Sequence, residues 1–168
     1  MVSIAAIVFT VGGSSASAAD QVSGLITRTY VLVEDTDLTG DVTCDVGSNP
    51  CLSFGASDIE LRLNGFTITG RADAATGCGG QGNLPGEFGI TTNARNNVTV
   101  RGPGLVQRFR NHGVLVTGSS NTTVDAITVS TNCASGILVA ANSFGTLVQG
   151  NVAVRNGSST PGFACGGI

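Results

Sequence analysis

One histidine and eight arginines supply all the basic side chains of this 168-residue chain, which contains no lysine. His112 lies beside Arg108 and Arg110 in a bend before Gly113. An imidazole titrates near neutral pH, so this grouping could act as a general acid or base on a bound ligand. No carboxylate partner for it is visible in the sequence, and the alternative is an ordinary exposed turn histidine. Arg62, Arg101 and Asp125 fall at corresponding positions of a repeat described below. Stacked in a column, they would offer guanidinium forks that match carboxylates bidentately, a chemistry suited to an acidic sugar. The same residues equally make a surface charge ladder of little energetic weight. Glu34, Asp35, Asp37, Asp41 and Asp45 form an acidic run. Calcium, a hard cation that takes several carboxylate oxygens, is a conceivable cofactor there; solvated edge residues are the alternative. No other cofactor is implied.

Five cysteines fit an oxidising compartment. Cys44 and Cys51 flank a turn-rich loop, and a bridge between them would close only a short segment, at the low end of disulfide stabilisation. Cys78, Cys133 and Cys165 have no assigned partner. No Cys-x-x-Cys spacing exists and a single His is present, so a thiolate metal site is disfavoured.

The elements that would position these groups are repeats. Asn97-Val98-Thr99-Val100, Asn121-Thr122-Thr123-Val124 and Gly145-Thr146-Leu147-Val148 superpose, with Val100, Val124 and Val148 each 24 residues apart. A second set begins at Gly89, Gly113, Gly136 and Gly162, at spacings of 24, 23 and 26. Runs of three to five β-branched residues bounded by Gly and Asn read as strands rather than helices. Period-2 alternation then stacks Ile90, Val114, Ile137 and Phe163 in one inward row, and Thr92, Val116, Val139 and Cys165 in the next. Leu52, Phe54, Ile59 and Leu61 supply an earlier copy, displaced because residues 71–87 bulge out as a Gly-rich loop. Outward, the first set predicts a row of Glu60, Thr99, Thr123 and Leu147, and a row of Arg62, Arg101, Asp125 and Gln149. Stacked copies bury a face that one copy cannot. The expectation is an all-β, right-handed parallel β-helix of about five turns of roughly 24 residues.

The stretch Leu61-Arg62-Leu63-Asn64-Gly65-Phe66-Thr67-Ile68-Thr69-Gly70, followed by Asn96-Asn97-Val98-Thr99-Val100-Arg101-Gly102 and Asn111-His112-Gly113-Val114, resembles right-handed β-helix repeat proteins of the pectate-lyase-like and NosD-like group. The resemblance implies the fold over nearly all of the chain beyond residue 30. It implies little about function, because one fold hosts lyases, hydrolases, epimerases and binding proteins. In lyases of the group an arginine serves as base and aspartates hold calcium, which the Arg101 and Asp125 column echoes. Asn111-His112-Gly113 only partly matches the hydrolases' Gly-His-Gly, and a chain without lysine lacks their Arg-Ile-Lys. The epimerases' Asp-Pro-His-Asp run is absent, and one His and one Met leave little for copper. No complete catalytic motif is found.

Residues 4–11 form a short apolar run followed by Ala16-Ser17-Ala18, so residues 1–19 read as a signal peptide and 20–168 as one β-helix domain. No arginine precedes the apolar run, a departure from that pattern. The run is too short to span a bilayer. The chain stops within or just after a strand, and a truncated C-terminus is one reading of that. Hydrophobic residues at 41% and charged residues at 11% exclude a disordered chain. A net charge of -3 argues against nucleic acid as a partner. The function expected is that of a secreted, periplasmic or cell-surface module, non-catalytic, binding a polysaccharide or cell-surface partner. The alternative is a lyase or hydrolase acting on acidic polysaccharide. Open solenoid ends also favour self-association.

Overall fold

The computed structural model describes residues 18–75, 77–78, 83–140, 142–157 and 166–168. The architecture is all-β, with no helix among the described residues and parallel pairing in every ladder. An opening strand, β1 (Asp20–Ile26), is followed by β2 (Tyr30–Leu32) and the long β3 (Thr36–Cys44). Four further units of three short strands follow. They are β4 (Leu52–Phe54), β5 (Glu60–Arg62) and β6 (Thr67–Thr69); then β7 (Ile90–Thr91), β8 (Thr99–Arg101) and β9 (Leu105–Gln107). Next come β10 (Val114–Val116), β11 (Thr123–Asp125) and β12 (Thr128–Ser130), and finally β13 (Ile137–Val139), β14 (Leu147–Gln149) and β15 (Val152–Val154). One sheet runs β13-β10-β7-β4-β2; the other runs β14-β11-β8-β5-β3-β6-β9-β12-β15, with β1 on β3. The second sheet is two ladders joined at β3, which pairs β5 through Thr36 and Asp37 and β6 through Val42 and Thr43. This arrangement is consistent with a β-solenoid.

Most strands have three residues; in β5, β6, β8, β9, β11 and β12 the central side chain points inward, whereas in β10 the first and third do. Leu61, Val100 and Val124 form one such column and Ile68, Val106 and Val129 another, all fully buried. Burying each aliphatic side chain contributes about 1.5–3 kcal/mol, and only stacked units remove them from water. In the other sheet Leu52, Ile90, Val114 and Ile137 align as the sequence predicts, and Val116 pairs with Val139. The third ladder, β6-β9-β12-β15, is not among the expected ones. Only Ala126 and Ile127 separate β11 from β12, so the sequence reads through that corner.

Chain direction changes at positions that need a left-handed backbone. Asp58, Asn97, Asn121 and Gly145 stack at φ of 61°, 54°, 54° and 62°. Asn and Asp tolerate this region better than other side chains do. Here they also bond one another: Asn97 Nδ2 donates to Asp58 Oδ1 at 2.7 Å and Asn121 Nδ2 to Asn97 Oδ1 at 3.0 Å. A second, interior amide column caps another corner. Fully buried Asn132 accepts from the Phe109 backbone N at 3.1 Å and donates to Val106 O and to Asn156 Oδ1.

Residues 1–17 and 158–165, which include most of the expected signal peptide together with Gly162, Phe163 and Cys165, lie outside the described residues. Among the described residues, Gly167 takes the glycine position after Gly136. Its carbonyl accepts from Ile137 N, as Gly136 O does from Val114 N and Gly113 O from Ile90 N.

The Cys44–Cys51 disulfide forms as expected. Cys78 and Cys133, left unpaired by the sequence, form a second one across 55 residues. It staples the inserted loop to the corner after β12. Gly77 approaches that corner so closely that a Cβ there would lie 2.0 Å from Thr131 O.

Candidate functional site

The residues of the two candidate sites fall on different parts of the repeat. Arg62, Arg101 and Asp125 are adjacent in one outward row, in the register the sequence predicts, with Gln149 beyond. Glu60, Thr99, Thr123 and Leu147 form the neighbouring row, also as predicted. The column is not a set of free cations. Arg62 donates from Nε to Glu60 at 2.8 Å, from Nη1 to Asp37 at 3.3 Å and from Nη2 to Asp35 at 3.1 Å. Arg101 donates from Nε to the other oxygen of Glu60 and from Nη1 to Asp125 at 3.2 Å. Partial burial alone would lower the pKa of Arg62, but hydrogen bonds and attraction from Asp37 and Glu60 outweigh it and raise it. Both guanidiniums are thus engaged by four carboxylates of the same chain. Beside them a cavity of about 410 Å³ is lined by Val33, Ile59, Glu34, Asp35 and Asp58 with Ala18 and Ala19, and its carboxylates would repel an acidic ligand.

Because the Arg101 side chain is 48% exposed, the ladder contributes modestly to stability. Arg101→Gln is expected to cost no more than about 1 kcal/mol, with a larger loss at low salt because Glu60 and Asp125 then face each other unscreened. Urea denaturation at two ionic strengths checks this. A salt-independent loss several times larger would show that the arginine is packed rather than paired.

The second group sits at the corner after β9. Arg108 does not face His112: its Nε and Nη2 both donate to Ala72 O, at 3.0 and 2.7 Å, pinning the start of the inserted loop. Arg110 pairs through Nε with Glu87, whose residue is 1% exposed. Burial raises the Glu87 pKa, Arg110 opposes the shift, and Asp45 adds to it. Sequence reasoning missed Glu87, a lone acid in a Gly-rich loop with no period to mark it. His112 stacks on Phe88, with ring centroids 5.9 Å apart and planes at 17°. Its Nδ1 accepts the backbone N–H of Ser135 at 3.1 Å. Burial lowers the His112 pKa, so the ring is neutral with its proton on Nε2. Half-buried against Phe88, it is not an exposed turn residue.

A test follows from that tautomer. A depressed histidine pKa means that His112 contributes stability above its ordinary range, near 6.5, which is lost as pH falls through the lowered folded value. Nitrogen NMR at pH 7 is expected to show a neutral ring protonated at Nε2, with titration only below the ordinary range. An Nδ1–H tautomer would contradict the Ser135 hydrogen bond.

The acidic run is spoken for in the same way. Asp35 and Asp37 hold Arg62, Asp41 Oδ1 accepts from Thr67 N at 2.8 Å, and Asp45 pairs with Arg71. Among the described residues no group of His, Cys, Asp and Glu is placed to hold a metal ion. Compared with protein-family models, curated proteins and solved structures, the chain has no match. Geometry alone therefore bears on function. No helix among the described residues is long and apolar enough to cross a membrane, and two disulfides fit an oxidising environment.

Proposed function

We propose that the chain is an exported right-handed parallel β-helix that binds a polysaccharide or another cell-surface partner without cleaving it. The observation that carries this reading is the residue-for-residue register of β5, β8, β11 and β14, and of β6, β9, β12 and β15. Such ladders present outward groups at a spacing of about 4.8 Å, a regular surface suited to a repeating polymer. Right-handed crossovers are the rule for parallel strands, and the resemblance to pectate-lyase-like and NosD-like repeats agrees with that hand. The competing reading, a lyase or hydrolase on acidic polysaccharide, would place catalysis on Arg101, Asp125 and His112. Arg101 is held by Glu60 and Asp125, and His112 Nδ1 by Ser135, which leaves no poised base.

The test is one panel. The purified chain is incubated with acidic and neutral polysaccharides and scored for retained protein, new reducing ends and unsaturated-uronate absorbance. Retention without products is expected. Products formed in proportion to added protein would overturn the reading in favour of an enzyme.

A further inference from the structure

The faces of the molecule differ sharply in charge. The ladder through β5, β8 and β11 gathers Glu60, Arg62, Arg101 and Asp125. The ladder through β6, β9, β12 and β15 presents no charged side chain at any outward position. In their place stand the hydroxyls of Thr67, Thr69, Thr128 and Ser130, the amide of Gln107 and the methyls of Leu105, all half-buried. Val152 and Val154 extend the same rows onto the last strand, 51% and 43% exposed. The inward partners Ile68, Val106 and Val129 are fully buried, and the register carries no bulge from β6 to β15. Its outward groups lie about 4.8 Å apart across strands and about 6.8 Å apart along them.

We infer that this neutral ladder is the ligand-contacting face and that its ligand is an uncharged, extended polysaccharide. The inference rests on the reading of the chain as a polysaccharide-binding module and narrows it to one face and one chemical class. An acidic polymer would find no cation on the strands of this face, and at their ends Arg71 is paired with Asp45 and Arg108 is bonded to Ala72 O. On the neighbouring ladder its carboxylates would have to displace Asp35, Asp37, Glu60 and Asp125 from Arg62 and Arg101. Uncharged sugars meet neither obstacle. Their hydroxyls exchange hydrogen bonds with Thr, Ser and Gln groups that have not been given up to ion pairs, and their C–H faces lie on Leu105 and the terminal valines. Gln107 is already oriented along the ladder, donating from Nε2 to Thr69 Oγ1 at 3.2 Å, which leaves one amide N–H and the carbonyl for a ligand.

The experiment is retention of the purified chain on insoluble cellulose, insoluble chitin and immobilised polygalacturonate. Variants are Thr69→Arg and Thr128→Arg on the neutral face, Thr123→Arg on the charged ladder as control, and Leu105→Ala as an uncharged change. Thermal denaturation confirms that each is folded. The wild type is expected on cellulose or chitin, with at least tenfold weaker retention for the two neutral-face arginines, a smaller loss for Leu105→Ala, and none for Thr123→Arg. Unchanged retention of Thr69→Arg and Thr128→Arg overturns the face. Retention on polygalacturonate alone overturns the neutral ligand while the binding reading stands. Retention on none of the three sinks both.

Discussion

Replacing Asn132 with leucine is expected to lower stability by about 3–5 kcal/mol, despite the near match in size. The side chain is fully buried at the corner after β12, where its oxygen satisfies Phe109 N–H and its nitrogen serves Val106 O and Asn156 Oδ1. Leucine leaves the buried Phe109 N–H without its partner, a cost of about 1–3 kcal/mol, and also removes the bonds to Val106 O and Asn156 Oδ1. Asn132→Asp separates donor from acceptor. It keeps the bond from Phe109 N but sets a charged oxygen against Val106 O and Asn156 Oδ1, so its loss should shrink at acid pH, where the carboxyl can donate. Denaturant midpoints for both variants across pH provide the measurement. A leucine variant as stable as the parent would show that these corners close without the amide column.

The second large effect is expected at Arg110. Arg110→Ala leaves Glu87 buried without its cation, and breaking a buried pair from one side costs about 3–5 kcal/mol. The sign of its pH dependence is fixed. With the guanidinium gone, its attraction and its side-chain hydrogen bond are lost, and only the backbone N–H of residue 110 still opposes burial and Asp45, so the Glu87 pKa rises further. A carboxyl whose folded pKa is raised contributes stability at low pH that is lost as pH climbs through that value. Arg110→Ala should therefore recover towards the parent as the medium is acidified below neutral, and Glu87→Gln should relieve much of the loss in the Arg110→Ala background. Melting temperatures of the two single variants and the double variant decide it; a pH-independent deficit would place the effect in packing rather than charge.

The sequence disclosed the period and, through it, the register of individual pairs such as Thr99 with Thr123 and Asp125 with Arg101. That succeeds because inward valines recur at a fixed interval and each strand is too short to slip. The third ladder was hidden for a related reason: its strands follow the previous ones after two to four bend residues, so two faces read as one run. Glu87 and the Cys78–Cys133 bridge were illegible because they belong to the inserted loop, where no repeat constrains position and contacts are made across the fold. The arginines were legible as a column but not as a neutralised one, since Glu60 serves both of them from the adjacent row and Asp35 and Asp37 come from the preceding unit.

The long bridge between Cys78 and Cys133 has a mechanical consequence. Pulled by its two ends, a stack of this kind yields one unit at a time, and each released unit of about 24 residues adds roughly 80 Å of contour at about 3.4 Å per residue. In the oxidised protein the 55-residue span closed by the bridge carries no tension and adds almost no length. That span holds β7 to β12. Load is therefore routed around the middle of the molecule, and only the outer units can be drawn out until the disulfide is reduced.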